Sequence, residues 1–172
     1  MKKLLLISFL ILGFSFTANS QNKYQGEVQI GYNFGVKDFD PDYANLSFIN
    51  GIRFNKNLFA GIGVGLNTYS IFESGVDKEY ALPIFINAKA YLPVSPQTDF
   101  FASLDCGYWF GISSNLKEVG GLMLTPSVGV CFDLGKSYGL NLSLGYNHQN
   151  WSADGPVSLN TGAIGIKVGF SF

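Results

Sequence analysis

Three features of this 172-residue sequence are candidates for chemistry: a single histidine, a cluster of aspartates and two cysteines. His148 is the only histidine, and it lies in the polar stretch Asn147-His148-Gln149-Asn150. A catalytic triad requires a nucleophile, a base and an orienting acid in contact. No glutamate follows Glu118 in the chain. We therefore interpret His148 as an interfacial polar residue rather than a catalytic base.

Asp38, Asp40 and Asp42 form the other candidate cluster, since alternate carboxylates resemble the start of a calcium-binding loop. Such a loop requires glycine at its sixth position and glutamate at its twelfth. Tyr43 and Ile49 occupy those positions here. The sequence therefore predicts a solvated acidic loop, with weak divalent-ion contact to lipid phosphates as the alternative. It predicts no metal site and no cofactor.

Two cysteines, Cys106 and Cys131, allow at most one disulfide. The strand alternation described below places Cys106 on one face of the sheet and Cys131 on the other. A disulfide requires the two Cβ atoms to lie about 4 Å apart. We therefore expect two free thiols.

The composition is unusual for a water-soluble domain. The chain is 47% hydrophobic and 16% aromatic, but only 13% of its residues are charged, whereas globular domains carry about 25%. The net charge of -1 argues against a nucleic-acid partner, because no excess of cations is available to neutralise phosphates. The length permits one folded domain.

Residues 1–20 have the pattern of a cleaved signal peptide. Lys2 and Lys3 precede an apolar stretch that ends near Phe16, and Ala18-Asn19-Ser20 supplies the small residues that a signal peptidase reads. We predict cleavage before Gln21, which leaves residues 21–172 as a single domain. That domain contains no second apolar run long enough for a transmembrane helix.

The rest of the chain alternates between apolar and polar or small residues with the period of two that is typical of β-strands. The connections after the first, third, fifth and seventh strands are longer than the others, which is the loop rhythm of a bacterial outer-membrane barrel. The eight predicted strands are Tyr24–Val36, Asn45–Phe54, Leu58–Tyr69, Tyr80–Leu92, Phe100–Ile112, Leu122–Leu134, Tyr138–Gln149 and Leu159–Phe172.

Two considerations indicate that the apolar rows face outward. The interior of an eight-stranded barrel is only wide enough for its own side chains, and the apolar rows contain too many large residues to fit there. The opposite rows are rich in small and amide residues and too poor in charge to coat a soluble surface. The predicted fold class is thus an all-β, eight-stranded, antiparallel up-and-down transmembrane barrel, preceded by a cleaved signal peptide. The same reasoning predicts aromatic girdle anchors at the strand ends, namely Tyr80, Phe100, Tyr138 and Trp151.

This orientation places six charged residues inside the barrel, three acidic and three basic. Because a buried charge is costly unless it is paired, we predict a network of ion pairs that fills a polar lumen. The alternative interpretation is a gated ion path. The predicted lumen network comprises Glu27, Arg53, Lys89, Asp105, Asp133 and Lys167.

The last strand ends in Val168-Gly169-Phe170-Ser171-Phe172, with Val168, Phe170 and Phe172 on its apolar face. Together with the signal peptide and the eight alternating strands, this ending resembles the outer-membrane β-barrel family that includes OmpA- and OmpX-type proteins. The resemblance covers residues 21–172. It implies that these three residues are an assembly signal for the barrel-assembly machinery, and that the protein lies in the bacterial outer membrane in contact with its lipid. No peptidoglycan-binding domain is expected after Phe172.

Outer-membrane lipid A deacylases are similar in fold and use a membrane-facing histidine with a serine two residues later and a glutamate on a neighbouring strand. The matching position after His148 is Asn150, and the glutamate is missing as well. We therefore predict that the protein is not an enzyme. The expected role is structural or interactive, as a monomer with an unknown loop partner. The alternatives are a small porin-like channel, then a lipid-modifying enzyme, then a soluble ligand-binding barrel.

Overall fold

The computed structural model describes residues 23–37, 40–70, 78–114, 116–117, 119–135, 137–152 and 158–172. Each strand is antiparallel to the next, and the last strand pairs with the first, so the sheet closes into a barrel. The predicted eight-stranded antiparallel barrel is confirmed, while the predicted signal peptide lies outside the described residues. The strands are β1 Lys23–Gly35, β2 Asp42–Arg53, β3 Leu58–Ser70, β4 Glu79–Ser95, β5 Thr98–Gly111, β6 Gly120–Gly135, β7 Tyr138–Ser152 and β8 Ser158–Ser171.

Most strands extend beyond the predicted bounds at one end or at both, whereas β1, β2, β5 and β8 each end one residue earlier than predicted. β4 continues past Pro93 to Ser95, where the register with β5 shifts, and β2 already begins at Asp42. Three connections are short, at residues 54–57, 96–97 and 136–137, and they lie at the same end of the barrel as the start of β1 and the end of β8. The strand ends that the four longer connections join lie at the opposite end, which is called the loop end below; the end with the short turns is called the turn end.

Large apolar side chains cover the outer face. Ile62 is 66% exposed, Ile86 63% and Leu122 67%, and similar residues project outward from every strand. Such a surface is compatible with lipid and not with water. The prediction that the apolar rows face outward is therefore confirmed. Within the described residues, no helix is long and apolar enough to cross a membrane.

The interior is filled by aromatic rings as well as polar groups, which the sequence reasoning missed. Gly63 lies opposite Phe85 in the pairing of β3 with β4, and a Cβ at Gly63 would lie within 2.4 Å of that ring. Gly129 and Phe101 stand in the same relation between β6 and β5. The glycines of the inner rows thus provide the space that the rings occupy. The buried inward-facing aromatic residues are Tyr43, Phe59, Tyr69, Phe85, Tyr91, Phe101 and Trp109.

Candidate functional site: the filled lumen

A fully buried ion pair links β1 to β4 across the lumen. Lys89 Nζ on β4 lies 2.5 Å from Glu27 Oε2 on β1, and both side chains are fully buried. Gln29 Nε2 donates a second hydrogen bond, of 2.7 Å, to Glu27 Oε1. The ammonium group also lies 5.2 Å from the centre of the Phe101 ring. The two charges are thus paired with each other and shielded from water, as a buried pair must be.

A second ion pair links β8 to β5. Lys167 Nζ lies 3.2 Å from Asp105 Oδ2, and Asn87 donates a hydrogen bond to the other oxygen of the same carboxylate. Both charged side chains are nearly buried. The structure therefore brings together four of the six charged residues of the predicted network, as two pairs.

Arg53 pairs with a carboxylate that was not part of the predicted network. Its guanidinium lies 3.3 Å from Asp99 Oδ2, near the turn end of the barrel, and 4.2 Å from the centre of the Tyr91 ring. Asp133, which was predicted inside the lumen, is instead exposed, and its carboxylate accepts a hydrogen bond of 2.7 Å from the Gly135 backbone. Asp133 therefore caps the turn between β6 and β7, and its place in the predicted network is wrong. The acidic partner of Arg53 is Asp99 instead.

Glu79 is a further buried carboxylate that the sequence reasoning assigned to a loop. It is 1% exposed and begins β4, and the Ser113 hydroxyl donates a hydrogen bond to it. The sequence did contain a signal that Glu79 belongs to the strand and faces inward. It continues the inner row of β4, in which Ala81 and Pro83 follow it at every second position. Glu79 thus ties the connection after β5 to the barrel wall.

A network of side-chain amides fills the part of the lumen towards the loop end. Asn147 Nδ2 donates to Asn33 Oδ1 over 2.7 Å, and Asn33 Nδ2 donates to Asn45 Oδ1 over 3.1 Å. Thr125 Oγ1 donates to Asn147 Oδ1 over 2.5 Å. The cavity among these groups has a volume of about 20 Å³, roughly enough for a single water molecule.

Aromatic rings close the lumen at the loop end. Ring centres lie 4.8 Å apart for Tyr43 and Tyr69, 5.3 Å for Tyr69 and Trp151, and 4.5 Å for Trp109 and Trp151. Gln149 joins the two tyrosines, since its Nε2 donates to the Tyr43 hydroxyl and its Oε1 accepts from the Tyr69 hydroxyl. We call these four rings the aromatic cap. Trp151 lies inside the barrel, so its prediction as a girdle anchor is wrong, whereas Tyr80, Phe100 and Tyr138 face outward.

Part of the connection after β5 packs onto the barrel at the loop end. Leu116, after β5, is only 7% exposed and lies against Gly111, where a Cβ would clash with the Leu116 carbonyl. Its side chain belongs to the same buried apolar cluster as the aromatic cap. Leu116 therefore adds an aliphatic contact to the rings at the loop end.

The acidic segment before β2 is not a solvated loop. Asp40 is 8% exposed, and its Oδ2 accepts hydrogen bonds from the backbone N–H groups of Gly162 on β8 and Lys37. Asp42 Oδ1 accepts from the Gly35 backbone over 2.8 Å. The prediction is wrong for these two residues because each carboxylate satisfies backbone donors near the strand ends; Asp38 lies outside the described residues. Among the residues that the structure describes, no three acidic, histidine or cysteine side chains group as metal ligands.

His148 is exposed on the outer face of β7, between Leu124 of β6 and Gly162 of β8. Two residues further along, Asn150 donates a side-chain hydrogen bond of 3.1 Å to Asn160. The cysteines lie on opposite faces of the wall, as predicted, with Cys106 exposed and Cys131 buried.

The end of β8 closes the barrel against β1. Gly26 and Phe172 exchange two backbone hydrogen bonds, of 2.8 and 2.9 Å, and the Phe172 ring covers Gly26 so closely that a Cβ there would lie 2.6 Å from it. Phe170 stacks between Phe172 and Tyr138, at centre distances of 6.4 and 5.7 Å. These rings form a continuous outward ladder at the turn end of the barrel.

Comparison with known proteins gives a fold. No protein-family model matches the sequence, and no curated protein sequence matches it. The solved structure of Neisserial surface protein A is similar over 87% of this chain and 97% of its own, with 11% identity and a TM-score of 0.65. The outer membrane protein OprG from Pseudomonas aeruginosa is similar over 90% and 98%, with 12% identity and a TM-score of 0.52. The outer membrane enzyme PagL is similar over 85% and 98%, with 10% identity and a TM-score of 0.56. This chain therefore has the fold of the small eight-stranded outer-membrane β-barrels, as the sequence pattern predicted.

Proposed function

We propose that this protein is an integral barrel of the bacterial outer membrane with a structural or surface-interaction role. The observation that carries the proposal is the combination of an apolar outer face with a closed lumen. The outer face suits lipid, while the aromatic cap, the amide network and two buried ion pairs occupy the lumen among the residues that the structure describes. What remains available to the outside is the loop end of the barrel.

Its membrane location is tested by the migration of the detergent-folded protein on gels with and without boiling. We expect the unboiled protein to migrate differently, because a closed barrel resists dodecyl sulfate. In cells, we expect it to remain in the outer-membrane fraction after carbonate washing. A freely soluble protein with no gel shift would refute the proposal.

A plugged lumen predicts the absence of conductance in planar bilayers. We expect no single-channel steps from the wild-type protein, because the cavity in the amide layer holds about one water molecule. Discrete steps from the wild-type protein would favour the alternative, a small channel. Trp109→Ala, which removes a fully buried ring of the aromatic cap, is the variant that tests whether the cap contributes to the seal.

We propose further that the protein is not an enzyme. The proposal is supported by the surroundings of the single histidine. His148 faces outward, and Asn150 stands where a deacylase has its serine and is hydrogen-bonded to another amide. No triad of serine, histidine and glutamate is therefore formed at this position. Incubation of the purified protein with outer-membrane lipid should leave the lipid unchanged by mass spectrometry. Release of fatty acid that disappears in His148→Ala would overturn this.

Val168, Phe170 and Phe172 are the proposed signal for the barrel-assembly machinery. All three side chains point outward at the end of β8 and are 41–44% exposed. Phe172→Ala should lower the amount of assembled protein in cells more than it lowers folding into pure lipid vesicles. Phe132→Ala removes an equally exposed phenylalanine from β6 and is the matched control. Equal losses for both variants in cells would contradict a specific signal.

The protein is proposed to be a monomer in the membrane. Every strand of the closed barrel is paired on both sides, so no sheet edge is left for pairing with a second copy. A single-protomer mass in native mass spectrometry is the expected result, and a dominant dimer would contradict it.

A further inference from the structure

The outer face is not uniformly smooth. An open groove of about 460 Å³ crosses β4, β5 and β6. Its centre is one row of cross-strand partners, since Ala90 pairs with Ala102 and Ala102 pairs with Val128. The next row towards the turn end has larger side chains, which form one bank of the groove. That row is Leu92, Phe100 and Val130.

The groove runs from the turn end towards the middle of the barrel. Ala90 is paired on its other side with Leu58, the first residue of β3, directly after a short turn. Val128, at the opposite end of the same row, lies well inside β6, which continues to Gly135. A chain lying in the groove would therefore enter near the membrane surface at β4 and reach deeper at β6, because barrel strands tilt by about 40°.

The short turn between β2 and β3 borders the shallow end and carries an exposed lysine. The backbone of Asn57 is hydrogen-bonded to Tyr91, which stands between the groove residues Ala90 and Leu92, and the Asn57 side chain donates to the Tyr91 carbonyl. Lys56, the residue before Asn57, is exposed. The neighbouring Arg53 is already paired with Asp99. Lys56 is thus the cation available at this edge of the groove, among the residues that the structure describes.

From this arrangement we propose that the groove is a binding site for one anionic phospholipid of the leaflet at the turn end. One acyl chain lies in the groove, and the headgroup phosphate contacts Lys56. An anionic phospholipid has a charged headgroup at the membrane surface and an apolar chain that runs deeper. The lysine suits the headgroup, and the groove suits the chain. The proposal rests on the membrane location proposed above.

The test is native mass spectrometry of protein released from nanodiscs that contain phosphatidylglycerol and phosphatidylethanolamine. We expect one retained phospholipid on the wild-type protein, with phosphatidylglycerol preferred. Ala102→Leu fills the groove and should lower the retained fraction about tenfold, which corresponds to lost contact with about two methylene groups. Ala44→Leu adds the same side chain on the outer face of β2 and should retain lipid like the wild type.

The headgroup contact is tested separately. Lys56→Gln should keep a bound lipid but lose the preference for phosphatidylglycerol, whereas Lys23→Gln, at an exposed lysine on β1, should keep that preference. The heat-dependent gel shift of each variant reports whether the barrel itself has formed, so failure of the lipid site is distinguishable from failure of the membrane assignment. Folded wild-type protein without retained lipid, or equal retention by Ala102→Leu, would overturn the proposal. A protein dimer that Ala102→Leu dissociates would assign the groove to a second copy and would also overturn it.

Discussion

Lys89→Met should destabilise the barrel by about 3 kcal/mol, because it leaves the Glu27 carboxylate buried without its cation. Both side chains of this pair are fully buried, at an N–O distance of 2.5 Å. Removal of one partner from a buried ion pair costs roughly 3–5 kcal/mol, mostly as the penalty for the unpaired charge. The low end of the range applies here because Gln29 continues to donate a hydrogen bond to the carboxylate.

The double variant Glu27→Gln with Lys89→Met tests the reason for this loss. It removes both charges at once, so we expect its stability to lie within about 1 kcal/mol of the wild type. Lys23→Met, which removes an exposed lysine from β1, is the matched control and should have almost no effect.

The assay is urea unfolding in lipid vesicles, followed by tryptophan fluorescence. Both tryptophans of the chain, Trp109 and Trp151, belong to the aromatic cap, so their emission reports on the lumen. Suppose that Lys89→Met lowers the free energy of unfolding by less than about 1 kcal/mol and that the double variant is no more stable than Lys89→Met alone. Glu27 would then be hydrated in the folded protein. The lumen would then be open to water, and the argument for a plugged barrel would fail.

Three further predictions concern packing and exposure. Gly63→Val should lower the unfolding midpoint in urea, since its Cβ would lie 2.4 Å from the Phe85 ring; an unchanged midpoint would show that the ring can move aside. A lipophilic maleimide should label Cys106 in the folded protein and reach Cys131 only after unfolding, as mass spectrometry can measure; equal labelling would contradict the inward position of Cys131. Asp99→Asn should change stability by no more than about 1 kcal/mol, because its ion pair is partly exposed; a larger loss in urea titration would place that pair in a drier setting.

The sequence predicted the wall of the barrel well, because a strand with two different environments must alternate with a period of two. It failed where strands end. Asp99 lies just before the predicted start of its strand, and Trp151 just beyond the predicted end of its own, so neither was assigned to the lumen. Asp133 was placed inside by alternation alone, although the chain turns immediately afterwards.

The filling of the lumen could not be predicted for a different reason. The inner rows contain both glycines and aromatic residues, and only the register between strands shows which ring lies over which glycine. Gly63 faces Phe85 because β3 and β4 pair with one particular offset, and a shift by two residues would preserve the alternation while destroying that fit. The ion pairs depend on the same information, since they form between strands that are distant in sequence.

The two buried ion pairs divide the chain at its midpoint. Glu27 and Lys89 belong to β1 and β4, whereas Asp105 and Lys167 belong to β5 and β8. Each half of the polypeptide therefore carries both members of its own pair and is electrically neutral at these positions before the barrel closes. A protein cut in the turn at residues 96–97 would yield two fragments. Each fragment would contain one complete ion pair, so neither would have to insert an unpaired member of these four charges into the bilayer before the fragments associate.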